Sequence, residues 1–174
     1  MTSSEHTPIP LAQFISAAGR FGPVAGVLTG PRLSWVPHNL VVRSVDADRM
    51  TTVAALFDEF ARAWTFPDHF GHNRDAFDEC MRHLDESQPD VSPPDVSPPA
   101  AYLTVIENAP RLLGHEPDDL RWFAGSLEFY RDHYRDVADP AAAFAVALLS
   151  PPTLRRRVET RWHDAGSPVA LIES

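Results

Sequence analysis

Phe66-Pro67-Asp68-His69-Phe70-Gly71-His72-Asn73-Arg74-Asp75-Ala76-Phe77-Asp78-Glu79-Cys80-Met81 is the densest signal in the chain. Pro67 and Gly71 bracket a compact turn, with Gly71 free to take backbone angles closed to other residues. Asn73 is a favourable N-cap, and Asp75 falls in the first turn of the helix that follows, where the helix dipole favours negative charge. Phe77, Cys80, Met81 and Leu84 form its apolar stripe. Asp75, Asp78, Glu79 and Arg82 recur at i, i+3, i+4 and i+7 and share the opposite face. Asp75 and Glu79 are a like-charge pair that costs the helix roughly 0.2–0.5 kcal/mol, and Asp78 adds to the repulsion. A helix selected only for its own stability would not carry that ridge. A binding face therefore competes with the plainer reading of a solvated acidic surface.

Outward from this stretch the pattern alternates between strand and helix. Upstream, Leu40-Val41-Val42 is a β-branched run suited to a buried strand. Residues 46–52 supply turn and cap types, and Val53, Leu56, Phe57, Phe60 and Trp64 then recur at helical spacing until Pro67 stops the helix. Downstream, Ala101-Tyr102-Leu103-Thr104-Val105-Ile106 and Phe144-Ala145-Val146-Ala147-Leu148-Leu149 are two further strands. Between them Pro117-Asp118-Asp119 opens a helix over residues 120–135, with Leu120, Phe123, Leu127 and Tyr130 or Tyr134 on one side. Residues 154–163 form a short arginine-rich helix, and 169–172 are a candidate added strand. Leu11–Ala18 is a candidate helix, and residues 22–31 are rich in turn formers.

The expected fold is a single compact α/β domain: a small, largely parallel sheet of three core strands, with a possible fourth at the C-terminus, packed by helices and joined by right-handed crossovers. Residues 1–34 read as an N-terminal extension, 35–150 as the main domain and 151–174 as a C-terminal helix–strand extension. Within the main domain, 88–100 is a proline-rich loop that repeats Asp-Val-Ser-Pro-Pro in tandem, a spacer of polyproline character.

Composition narrows the function. A chain of 174 residues with 44% hydrophobic and 22% charged residues is an ordinary globular one. No apolar run approaches the roughly 20 residues that span a bilayer. Residues 1–10 lack the basic start and apolar stretch of a secretory signal, and the single cysteine, Cys80, excludes an internal disulfide. The expected setting is soluble and cytoplasmic. The net charge is −9, and all 15 basic residues are arginine. Direct binding of nucleic acid is disfavoured, because phosphates repel such a chain. Residues 67–86 and 116–139 each carry a net −4, which accounts for most of the imbalance.

The quoted stretch resembles the barstar-like inhibitors of microbial ribonucleases. Phe66, Pro67, Phe70, Gly71, Asn73, Asp75, Ala76, Phe77, Cys80 and Met81 match that family's helix segment in identity or close type, without a gap, and the order of strands and helices over residues 35–150 is similar too. The resemblance implies inhibition by occlusion, in which an acidic helix and its preceding loop enter the basic cleft of a small ribonuclease or ribonuclease-type toxin. By motif position the loop contacts are His69 and Asn73 and the helix contacts Asp75 and Glu79. Glu79 stands where the family's phosphate-mimicking aspartate stands, Asp78 occupies a place that can be tryptophan, and a looser match puts the acidic contact of a later helix at Asp132. Three residues depart from the pattern. His69 replaces an aromatic, Arg74 replaces a hydrophobic residue and adds positive charge at the rim, and Glu79 is one methylene longer than aspartate.

Other readings compete. His69 and His72, with Asp68, Asp75 and Glu79 nearby, offer ligand types that zinc accepts, so a metal-dependent hydrolase is an alternative; their spacing is not that of His-Glu-x-x-His. An interaction domain that kept the fold and lost inhibition is another. Arg155, Arg156 and Arg157 suggest RNA contact only weakly, since a solvated helix face explains them. Cys80, on the apolar stripe, reads as an inert buried thiol. No cofactor and no catalytic residue is expected.

Overall fold

The computed structural model describes residues 7–33, 36–87 and 97–173; most of the proline-rich loop lies outside them. The apolar runs become five strands, β1 Ala25–Thr29, β2 Leu40–Asp46, β3 Ala101–Glu107, β4 Ala143–Ser150 and β5 Ala170–Ile172. They pair in the order β2-β3-β4-β1-β5, and every pairing is parallel. The helices are α1 Leu11–Ala18, α2 Val53–Ala63, α3 Arg74–Met81, α4 Leu84–Ser87, α5 Leu120–Asp136 and α6 Arg155–Asp164. A parallel sheet is covered on both faces, which is why β3 and β4 read as continuous apolar runs. On one face Phe60, Trp64, Phe123, Tyr134 and Trp162 pack over Tyr102, Phe144, Val146 and Leu148. On the other, Leu11, Phe14, Ile15 and Ala18 of α1 cover Leu28, Leu103, Ala145, Ala147 and Leu149. Thr104, a polar residue of central β3, is fully buried and accepts a hydrogen bond from Trp64 Nε1 at 3.2 Å.

Three strands and a candidate fourth were expected, and the sheet has five. The added strand is β1, which lies between β4 and β5, so the segments before and after the main domain add β1 and β5 to the one sheet and α1 and α6 to its covering layers. The β1 segment escapes notice in the sequence because it is only five residues long, includes Gly26, and is bounded by Gly22, Pro23, Gly30 and Pro31. Gly26 is required by crowding. A Cβ there would meet Ile172 Cδ1 at 2.7 Å, its Cγ1 at 2.9 Å and the Phe14 ring at 3.0 Å.

Local signals explain the helix ends. Thr52 caps α2, its hydroxyl accepting from Ala55 N–H at 3.2 Å. The α3 helix ends at Met81, before Leu84, because the buried Tyr134 hydroxyl enters the chain there. It donates to the Met81 carbonyl at 2.7 Å and accepts from Leu84 N–H at 3.0 Å. Glu59, buried in α2, accepts from Asp46 N–H at 3.1 Å and from Arg62 Nη2 at 2.6 Å. The Arg62 hydrogen bond, opposed by burial, holds its carboxyl below the ordinary value of 4.5. No helix among the described residues is long and apolar enough to cross a membrane.

Two measurements check this packing. Gly26→Val should cost about 1–3 kcal/mol in chemical denaturation, since the core cannot take the added volume. Gly125→Ala, on α5 with nothing within 4 Å of the new Cβ, should instead stabilise by roughly 0.4–1 kcal/mol. The Glu59 contribution is present above the ordinary glutamate range and is lost as pH falls through the lowered folded value. Denaturation midpoints should therefore drop from about pH 5 downward, and Glu59→Gln should flatten that acid limb.

Candidate acidic docking surface

Helix α3 is fixed from below. Phe77 is fully buried and lies 5.2 Å from Phe57, 5.4 Å from Phe60 and 6.2 Å from Tyr130, centroid to centroid. The loop before it is fastened in the same way: Phe66 and Phe70 are buried against each other at 5.1 Å, and Phe70 N–H donates to the Pro67 carbonyl at 2.9 Å. Asn73 caps α3, accepting from Ala76 N–H at 2.9 Å. Its own amide reaches back to the Gly71 carbonyl at 3.3 Å. The left-handed residue of this turn is His72, with φ at 50°, and not Gly71. Gly71 is needed for closeness, because a Cβ would stand 3.1 Å from the Asn73 amide nitrogen.

The expected site residues separate into two groups. His69, Asn73, Asp75 and Glu79 are exposed on the loop and on the outer side of α3. Among the described residues, no ion pair engages the carboxylates of Asp75 and Glu79. Asp78 behaves differently. It is half-buried and accepts a hydrogen bond from the Tyr130 hydroxyl of α5, so it braces α3 against α5 instead of standing on the open ridge. Burial, reinforced by that carboxylate, pushes the Tyr130 phenol up and keeps it neutral. Asp132 on α5 is likewise engaged by its own chain, 2.9 Å from Arg131 Nε and 3.2 Å from Arg135 Nη1.

Arg74 does not stand free at the rim. Its guanidinium pairs with Asp119 at 2.6 Å and lies 4.4 Å over the Trp122 ring. Asp119, which pairs with that charge, and Trp122, which stacks on it, are unremarked as site residues in the sequence. Two exposed aromatics were also missed, Phe129 on α5 and Phe21 after α1.

His72 stands with Nδ1 3.0 Å from the Phe70 carbonyl and Nε2 3.1 Å from Asp58. Among the described residues, no three His, Cys, Asp or Glu side chains gather as a metal would require. Burial, then the Glu79 charge, pushes the Cys80 thiol up, away from the reactive thiolate.

Fold and surface together define a parallel α/β domain whose α3 displays two exposed carboxylates, Asp75 and Glu79, that no ion pair among the described residues engages. The family model described as Barstar (barnase inhibitor) matches residues 40–148, and the chain belongs to that family. A comparison with curated proteins finds no match.

The Asp78–Tyr130 brace gives a direct check. Tyr130→Phe removes the donor and leaves a half-buried carboxylate, and it should destabilise the protein by about 1–3 kcal/mol in urea denaturation. An unchanged midpoint would mean that the contact contributes nothing to holding α3.

Proposed function

We propose that this protein is an inhibitor of a small basic ribonuclease or ribonuclease-type toxin, acting in the cytoplasm as an immunity-type partner and blocking the nuclease cleft without turnover. The observation that carries the reading is the pair Asp75 and Glu79, exposed on α3 and in no ion pair among the described residues, while Arg62, Arg74, Arg131 and Arg135 are engaged with other acids. Membership of a family described as barnase inhibitor supports the same conclusion. In the proposed complex Glu79 occupies the position of a substrate phosphate and faces cationic groups of the nuclease, where charge-assisted hydrogen bonds are strong. Asp75, one turn earlier, adds long-range attraction. His69 and Asn73 make loop contacts at the rim, with Asn73 limited to what its capping role leaves free. Asp78 serves the interface from beneath. No cofactor or metal enters the mechanism, since steric occlusion and electrostatics suffice.

The test is inhibition of a purified small basic ribonuclease of the barnase type by the full chain. Stoichiometric loss of activity is expected. Glu79→Ala should weaken binding by about 2–5 kcal/mol, the range for truncating a buried charge pair at an interface, those of barnase and barstar among the known cases. Asp75→Asn should chiefly slow association, with a shallower dependence on salt. Wild-type affinity in the Glu79→Ala protein would remove that residue from the interface. Capture of the nuclease with full retention of its activity would favour an interaction domain over an inhibitor.

A further inference from the structure

The loop between α1 and β1 lies outside the segment matched to the family, yet α5 holds it by two arginines. Arg131 Nη1 donates to the Gly22 carbonyl at 3.0 Å, and Arg135 Nη1 donates to the Arg20 carbonyl at 2.5 Å. Both guanidinium groups also contact Asp132, and Arg135 pairs in addition with Asp136 at 2.6 Å. The other side of the loop is equally fixed. Gly22 N–H donates to the Ala17 carbonyl at 2.8 Å, and a Cβ on Gly22 would meet that carbonyl at 2.8 Å.

Between the two clamped carbonyls, Phe21 is 87% exposed, with the Arg135 guanidinium 4.6 Å from its ring centroid. A large apolar ring in water is costly, and here it is displayed on a fixed frame. Such a ring loses little freedom on contact, as expected of a preorganised anchor. It is also continuous with the acidic surface. Arg82, three residues beyond Glu79, lies 5.6 Å from the ring of Phe129, which is 51% exposed; Asp132 follows one turn along α5, and Arg135 leads to Phe21.

We propose that Phe21 is an aromatic anchor of the partner interface, its outward ring face receiving an arginine or lysine side chain of the basic nuclease, and that Asp132 is the positioning residue that holds Arg131 and Arg135 in place to display it. The charge of Asp132 is compensated within the chain, so it suits this role better than that of a bare phosphate mimic. An aromatic face attracts cations, and the basic nuclease of the proposed complex supplies them, with electrostatic complementarity to a chain of net charge −9. This inference rests on the ribonuclease-inhibitor reading.

Binding of the full chain to a small basic ribonuclease of the barnase type tests it. Phe21→Ala, at a site exposed enough to leave folding intact, should raise Kd about 10- to 100-fold. Phe21→Leu should recover only a minor part of that loss. Asp132→Asn should raise Kd about tenfold in the wild type, add almost nothing in the Phe21→Ala background, and speed hydrogen exchange at the Gly22 amide. Wild-type Kd for Phe21→Ala, with Glu79→Ala still impaired, would overturn this inference and leave the inhibitor reading intact. Full rescue by leucine would overturn the cationic occupant, and additive losses would overturn the positioning role. Failure of the wild-type chain to bind at all would overturn the inhibitor reading and this inference with it.

Discussion

Burial of the Phe77 ring determines what α3 can show to solvent. In a helix, residues two places to either side of a buried position point some 200° away, so Asp75 and Glu79 face outward once Phe77 and Met81 face in. The magnitudes settle the competition. Burying a phenylalanine is worth about 1.5–3 kcal/mol, whereas a like-charge pair one turn apart costs a few tenths, on the order of 0.2–0.5 kcal/mol. The dipole of the first turn offsets part of that cost at Asp75. The aromatic floor formed by Phe57, Phe60, Phe66 and Tyr130 thus lets the fold carry a ridge that an isolated helix would resist.

The arginines define the surface by where they are not. Arg62 serves Glu59, Arg74 serves Asp119, Arg131 and Arg135 serve Asp132 and Asp136, and Arg155 serves Glu159. Exposed pairs of this kind add little stability. Their consequence is one of placement: these arginines are engaged with Glu59, Asp119, Asp132, Asp136 and Glu159, and none of them pairs with Asp75 or Glu79 on the outer side of α3. A net charge alone cannot make that distinction, because solvated acids and a docking ridge give the same total.

Much of the architecture was legible in the sequence. Apolar runs marked β2, β3 and β4, the 3.6-residue period marked α2 and α5, residues 46–52 carried the cap types ahead of α2, and Asn73 marked the cap of α3. The β1 strand was hidden because its small residues and flanking prolines and glycines carry turn chemistry, while its stability comes from parallel pairing with β4 and β5, a long-range property. At the site, helical spacing placed Asp75 and Glu79 correctly with respect to Phe77. It grouped Asp78 with them because periodicity knows nothing of Tyr130, which arrives from α5, 52 residues later. Asp132 and Arg74 were ambiguous for the same reason, since their partners are set by tertiary packing. Phe21 and Phe129 lie off every apolar stripe, and only their exposure in the folded chain makes them conspicuous.

The central claim is that the carboxylates of α3 occupy the place of RNA phosphate in a nuclease cleft. Competition measures it most directly: the affinity of the full chain for a small basic ribonuclease is titrated against a mononucleotide that fills the nuclease's phosphate site. Mutual exclusion is predicted, with the apparent Kd rising in proportion to nucleotide concentration once the site is saturated. Simultaneous binding of nucleotide and protein, with an unchanged Kd, would contradict the account.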